Sequence, residues 1–217
     1  MPIQPLVLSF EVATLATLLA AVVGVALAAW IADARFRGRD VVDALVTAPL
    51  VMPPTVLGYY LLVVLGRRSP IGAAFEHLTG GSIVFSRTGA VVAATVGALP
   101  LVVRSARAAL EGVDPTLVQA ARTLGATPAR AFFTVRLPLA GRGVLAGVLL
   151  AFARSLGDFG VTLMLAGDIP GETRTASLAI YDAIEAHRDA EAAALAITLT
   201  ILAVCVLYAV GKLGGRP

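Results

Sequence analysis

Gln119-Ala120-Ala121-Arg122-Thr123-Leu124-Gly125, then nine residues, then Val135-Arg136-Leu137-Pro138: this polar, arginine-bearing stretch is enclosed by long apolar runs. Its local grammar is helical. Asp114-Pro115 supplies an N-cap followed by a proline at the first helical position, where the missing N–H costs nothing. Leu117, Ala120, Ala121 and Leu124 recur at helical spacing. Gly125 follows Leu124, where a left-handed C-terminal cap belongs. Thr127-Pro128 repeats the cap-plus-proline start. The stretch is predicted to form a short helix, a glycine turn and another helix. Small alanines on one face let another surface approach closely, which suits a docking element.

Outward from this stretch the chain is mostly apolar. Its 217 residues are 58% hydrophobic and 14% charged, with mean hydropathy +0.88. That composition is a membrane protein's. The single cysteine, Cys205, excludes a disulfide framework or a metal-thiolate site. His77 and His187 are far apart and lack partners at metal-ligand spacing, so neither a metal nor a cofactor is expected. The chain has no Gly-Xaa4-Gly-Lys-Ser/Thr phosphate loop and does not hydrolyse ATP itself. An intramembrane enzyme would need a Ser-His or paired-Asp site at depth, and Asp158 is the one clearly buried acid. The net charge of +3 comes almost wholly from arginine. In so apolar a chain these arginines are topology signals, and no nucleic-acid partner is expected. The first basic residue is Arg35, so the charged start of a signal peptide is missing.

A helix needs about 20 apolar residues to cross a bilayer. Five runs qualify, at about 6–32, 41–65, 89–110, 144–166 and 192–213. The third is the weakest. Its uncharged core, 89–103, is 15 residues. At about 1.5 Å per residue that is roughly 22 Å, short of the ~30 Å hydrocarbon layer, so Arg104 and Arg107 must snorkel. With the N-terminus outside, the inside connections carry Arg35, Arg37, Arg39, Arg104, Arg107, Arg122, Arg130, Arg136, Arg142, Lys212 and Arg216. The outside ones carry Arg67, Arg68, Arg87, Arg174 and Arg188. The positive-inside rule selects this orientation, with the C-terminus and the polar loop in the cytoplasm.

Two places inside the spans need explaining. Met52-Pro53-Pro54-Thr55 removes backbone donors and forces a kink or a break, either for packing or to line a pathway. Arg154 and Asp158 lie near the middle of the fourth span, four residues apart on one helix face, where they can partly neutralise each other. They read as a polar patch on a pathway or subunit interface, or else as an ion pair holding helices together. Gly157 and Gly160 flank Asp158 and permit close helix contact. After them, 167–175 is a turn-rich outer connection. It leads to a partly apolar helix at 176–186 that lies at the outer surface or re-enters.

The spacing of Gln119, Ala120, Ala121, Gly125, Leu137 and Pro138 resembles the cytoplasmic EAA loop of ABC importer permeases. The departure is Gln119, where that family carries Glu; glutamine keeps the hydrogen-bonding shape and loses the charge. Further stretches resemble the molybdate permease branch: Pro49 to Tyr59, Ala109 to Asp114, Leu150 to Gly160 and Ile169 to Thr175. The Ala153-Arg154-Ser155-Leu156-Gly157-Asp158-Phe159-Gly160 segment is similar also to sulfate and thiosulfate permeases, with Asp158 in place of the more usual Glu.

The resemblance implies an all-α membrane protein of the type I ABC importer permease fold. It would be one domain over 1–217, with about five transmembrane helices and a cytoplasmic coupling loop at about 111–142. It implies a non-catalytic subunit in the cell (inner) membrane of a bacterium or archaeon, surrounded by lipid. Two copies would form the path, with cytoplasmic ABC ATPase subunits below and an extracytoplasmic oxyanion-binding protein above. The implied cargo is molybdate, with tungstate beside it. Sulfate or thiosulfate import and an ATP-independent anion transporter are the alternatives. Pairing also follows from number: five helices enclose little space, and an odd count excludes a simple internal duplication.

Overall fold

In the computed structural model the described residues are 3–33 and 37–214. Arg35 and Arg216, two of the charges used for orientation, lie outside them. All regular structure among the described residues is helical.

The first apolar run is a single helix, α1 (Ile3–Asp33), of 31 residues. At about 1.5 Å per residue it is roughly 46 Å long. The second run is broken, as its prolines require. α2 (Arg39–Val51) and α3 (Pro54–Leu65) meet at an angle of 116°. Met52 and Pro53 take extended backbone angles there, and Pro54 restarts the helix at its first turn. Neither piece crosses a membrane alone. α4 (Pro70–Thr79) then lies in the connection, with the Ser69 hydroxyl accepting from the Gly72 N–H at 2.9 Å.

The third run, weakest by its apolar length, is α5 (Arg87–Glu111), and it is the centre of the fold. It contributes to every one of four core clusters: Ala90 and Ala94, Val103 and Leu110, Ala98 and Val102, and Ala93. Its small residues face those of α1, where Ala13, Ala16, Ala20 and Ala28 are all fully buried. Small side chains let two helix backbones approach closely, which is how helices associate where lipid removes the hydrophobic advantage. Protein on several sides relieves α5 of the need for a long apolar surface. Arg107 does not reach for water alone. It pairs with Asp43 at 2.7 Å and with Glu111 at 2.9 Å.

α6 (Pro115–Thr123) is the first helix of the polar loop. The second, α7 (Pro128–Ala131), is not a separate element. It runs through a wide π turn, Phe132–Arg136, into α8 (Leu137–Leu156), giving 29 continuous residues. The expected fourth span, 144–166, therefore begins earlier and is not one helix. It stops at Leu156, and α9 (Gly160–Ala166) resumes after Gly157, Asp158 and Phe159. The connection at 167–175 leads, as expected, to a short helix, α10 (Ala176–Glu185), which buries Leu178 and Ala183. α11 (Asp189–Gly214) is the last span and packs on α8 and α10. Among the described residues four helices are long and apolar enough to cross a membrane, and the bent α2–α3 pair makes a fifth crossing if counted as one.

The two ends of the bundle are both polar. At one, Arg136 meets Asp33, and Arg39 meets Glu111. At the other, Gln4 and Arg87 donate to the carbonyl oxygens of Gly171 and Glu172.

Candidate functional site

The polar loop is built as its sequence demands. The Asp114 carboxylate accepts from the Thr116 N–H at 2.9 Å, capping α6. That backbone N–H also holds the carboxyl below its ordinary pKa of 3.8. At the other end Gly125 has φ +90°, with its N–H on the Arg122 oxygen at 3.0 Å. Ala126 N–H reaches the Ala121 oxygen at 3.1 Å. These two bonds make a Schellman closure, which needs a left-handed residue at the position after the cap. Thr127 accepts from the Arg130 N–H at 3.2 Å and starts the next turn.

The π turn has a local cause. Pro138 has no N–H and its ring crowds the carbonyl one turn earlier. Widening that turn relieves the clash, and Leu137 N–H bonds back to the Phe132 oxygen.

Leu124, at the tip, is 89% exposed. Leu117 and Phe133 are also exposed, as are Gln119, Ala120, Gly125 and Pro138, whereas Ala121 and Leu137 are half-buried. Gln119 additionally lines a cavity of about 360 Å³ between α6 and the end of the bundle. So large a set of exposed apolar side chains on a capped, rigid hairpin suits a protein surface.

The second group of residues meets where two broken spans touch. α3 packs against α9. A Cβ on Gly160 would lie 2.6 Å from the Pro54 Cβ, so only glycine allows this approach. Next to it, Asp158 is 3% exposed and is the only buried carboxylate among the described residues. Its Oδ1 accepts from Arg154 Nη1 at 3.0 Å. Its Oδ2 accepts from the Thr162 N–H at 3.0 Å and from the Thr162 hydroxyl at 2.5 Å. Ser177 donates to the Asp158 carbonyl oxygen at 2.7 Å.

The i, i+4 pairing expected from spacing is made, but not along a helix: Asp158 stands in the break and caps α9. Burial of both its oxygens against donors makes it a structural carboxylate. Arg154 differs, with its side chain 37% exposed. Gly97 of α5 lies beside the pair, where a Cβ would make only ordinary contact with Arg154 Nη2 at 3.8 Å and Asp158 Oδ1 at 4.0 Å. Gly157 departs from expectation. The nearest atom to a Cβ there is the Ala153 oxygen at 3.9 Å, so it makes no close helix contact. Pro53 precedes Pro54 at the α2–α3 corner and is exposed.

Sequence reasoning missed Thr162, Ser177 and Gly97. Thr162 becomes the partner of Asp158 only because the helix breaks at 157–159, and no proline or other local signal marks that break. Ser177 and Gly97 come from other elements and carry no local signal.

The whole arrangement agrees with what the chain is similar to. Residues 16–211 match the family described as binding-protein-dependent transport system inner membrane component, and the chain belongs to that family. It is an inner-membrane, multi-pass transport component and not an enzyme. Among its relatives is the molybdenum transport system permease protein ModB of Escherichia coli (strain K12), 48% identical over 182 residues, 84% of this chain and 80% of that protein. The ModB of Azotobacter vinelandii is 42% identical over 202 residues, 93% of this chain and 89% of that protein. In fold the chain is similar to one from the MetNI methionine ABC transporter, solved in inward-facing conformations. The TM-score is 0.74 at 18% identity, covering 98% of this chain and 94% of that one.

Proposed function

We propose that this chain is the permease subunit of an ATP-driven importer of molybdate, with tungstate as a second cargo. The observation that carries the reading is the similarity, over most of the chain, to molybdenum permeases, joined to an exposed, doubly capped loop of EAA spacing. A dianion cannot cross hydrocarbon unaided, because unpaired charge there is prohibitive.

In this reading the whole chain is one permease domain. The loop at about 111–142 docks on a separate cytoplasmic ABC ATPase through Leu117, Ala120, Leu124 and the turn at Gly125. Gln119, Ala121, Leu137 and Pro138 shape and hold it. An extracytoplasmic binding protein delivers the oxyanion at the other end. Two copies of the chain form the path, with the N-terminus outside and the C-terminus in the cytoplasm. Pro53, Pro54 and Gly160 form the junction of the two broken spans, a place suited to bend. Asp158 fixes that junction while Arg154 turns its exposed guanidinium to the path. Its charge is half-compensated, which favours passage of an anion over retention.

The test is reconstitution in liposomes with the cognate ATPase and binding protein. ATP-dependent uptake of radiolabelled molybdate, blocked by excess tungstate and not by excess sulfate, is the expected result. Uptake blocked equally by sulfate would move the chain to the sulfate and thiosulfate group. Uptake without ATP would remove the importer reading.

A further inference from the structure

The loop's own helix is nearly detached from the membrane helices. α6 packs chiefly against the π turn and α7. Between it and the bundle lies the 360 Å³ cavity, lined by Asp33, Leu110, Glu111, Gln119, Arg122 and Arg136 among others. A push on α6 therefore reaches the bundle along the chain, through residues 112–114 into α5 and through the π turn into α8. α1 has no such covalent link; Phe132 packs in the apolar cluster of Ala28 and Ile31, and a firmer connection to α1 needs a separate tie.

Arg136, the last residue of the π turn, supplies one. Its Nη1 bonds to Asp33 Oδ1 at 2.6 Å, at the end of α1. Its Nε donates to the Leu110 carbonyl at 3.3 Å, in the last turn of α5. The side chain is 16% exposed, the most buried guanidinium of those in ion pairs among the described residues. The Leu110 carbonyl is among the last four of its helix, at the negative end of the dipole, and besides Arg136 it accepts from the Val113 N–H at 3.4 Å. A planar guanidinium meets a carboxylate and a carbonyl at once, which a lysine ammonium on one flexible stem does less well. A second set of bonds makes α5 a firm target. Glu111 accepts from Arg39 at 2.6 Å and from Arg107 at 2.9 Å, and Arg107 reaches Asp43 at 2.7 Å, so α2 is tied to α5.

We infer that Arg136 is a positioning residue of the transport cycle: it binds the coupling loop to the ends of α1 and α5, so that loop displacement moves these helices together with α8. Without it, loop displacement reaches the end of α1 only through apolar packing, and that end lags behind α5 and α8. The inference rests on the proposed docking of the loop to an ATPase.

Three variants test it in the reconstituted complex: Arg136→Gln, Arg136→Lys and Asp33→Asn. Three quantities are read for each: affinity for the ATPase, hydrolysis stimulated by the binding protein, and molybdate imported per ATP. Arg136→Gln is expected to bind the ATPase and hydrolyse ATP as the wild type does. Its import per ATP falls about fivefold, within the range over which single residues modulate coupling. Arg136→Lys, keeping the Asp33 pair, recovers part of the loss. Asp33→Asn, which leaves the Leu110 bond, loses less than Arg136→Gln.

Unchanged import per ATP in Arg136→Gln overturns the inference. So does a parallel loss of ATPase affinity, which would make Arg136 a docking residue. Should Arg136→Gln not fold, Asp33→Asn decides, and a wild-type ratio there overturns it. A wild-type chain that fails to bind the ATPase brings down the docking reading and this inference with it.

Discussion

At the scale of single residues, Asp158 and Arg154 are unequal partners. Asp158 is buried and receives hydrogen bonds from Arg154 and Thr162, while Arg154 keeps partial contact with solvent. Removing the acid therefore costs more than removing the base. Asp158→Ala strands a cation and uncaps α9, an expected loss of about 3 kcal/mol, the low end for breaking a buried pair because Arg154 is not fully enclosed. Arg154→Ala leaves a carboxylate still held by Thr162, an expected loss of roughly 1–3 kcal/mol. The double variant should recover only part of the Asp158→Ala loss, since the cap stays missing. Thermal unfolding in detergent gives the order, and an Arg154→Ala chain less stable than Asp158→Ala would contradict the assigned roles. If Arg154 also lines the path, the double variant will fold without regaining full uptake. The pairing was legible from a spacing of four. The capping role was not, because it depends on the helix ending at Leu156, and no proline marks that end.

At the scale of elements, local signals were read well and tertiary ones poorly. α6 follows from Asp114, Pro115 and Gly125, each acting within a few residues. A Cβ at Gly125 meets nothing within 4 Å, so substitution there tests backbone conformation alone. Gly125→Val is expected to cost roughly 1–2 kcal/mol, the price of left-handed geometry for a non-glycine residue. It should weaken ATPase association while the chain still inserts, with Gly125→Asn milder. Binding of detergent-solubilised chain to immobilised ATPase measures this, and full binding by Gly125→Val would show that the turn does not present the loop. Asp114 gives the same helix a pH dependence. Its folded pKa is lowered, so the cap stabilises α6 above the ordinary carboxyl pKa and is lost as pH falls through the folded value. Asp114→Asn should abolish that acid-side change in ATPase binding without abolishing binding at neutral pH. The π turn, by contrast, arises from Pro138 meeting a helix that began ten residues earlier at Pro128, and periodicity alone divides these into two elements. Likewise α5 looks marginal by its apolar length, yet its alanines mark a helix enclosed by protein instead of lipid.

At the scale of the whole molecule, the two polar ends are chemically different, and their difference carries the orientation. The end bearing the loop holds Arg37, Arg39, Arg104, Arg107, Arg122, Arg130, Arg136, Arg142 and Lys212; the opposite end holds Arg67, Arg68, Arg87, Arg174 and Arg188. Excess arginine is retained on the cytoplasmic side during insertion, so in the proposed orientation the loop lies where ATP is. In that reading the connection around Glu172 belongs to the opposite side, because Gln4 and Arg87, near the N-terminal ends of α1 and α5, bond to it. Arg130 and Glu172 are both exposed, so they report the two sides without disturbing the core. Cys205, itself exposed, is first replaced by serine. In that background Arg130→Cys and Glu172→Cys are then labelled in intact cells with a membrane-impermeant maleimide. Position 172 should react from outside and position 130 only after the membrane is opened. The reverse pattern would invert every crossing at once, placing the loop away from any ATPase and removing the importer mechanism with it. Labelling of both positions from outside would mean that the broken α8–α9 segment between them does not cross the membrane.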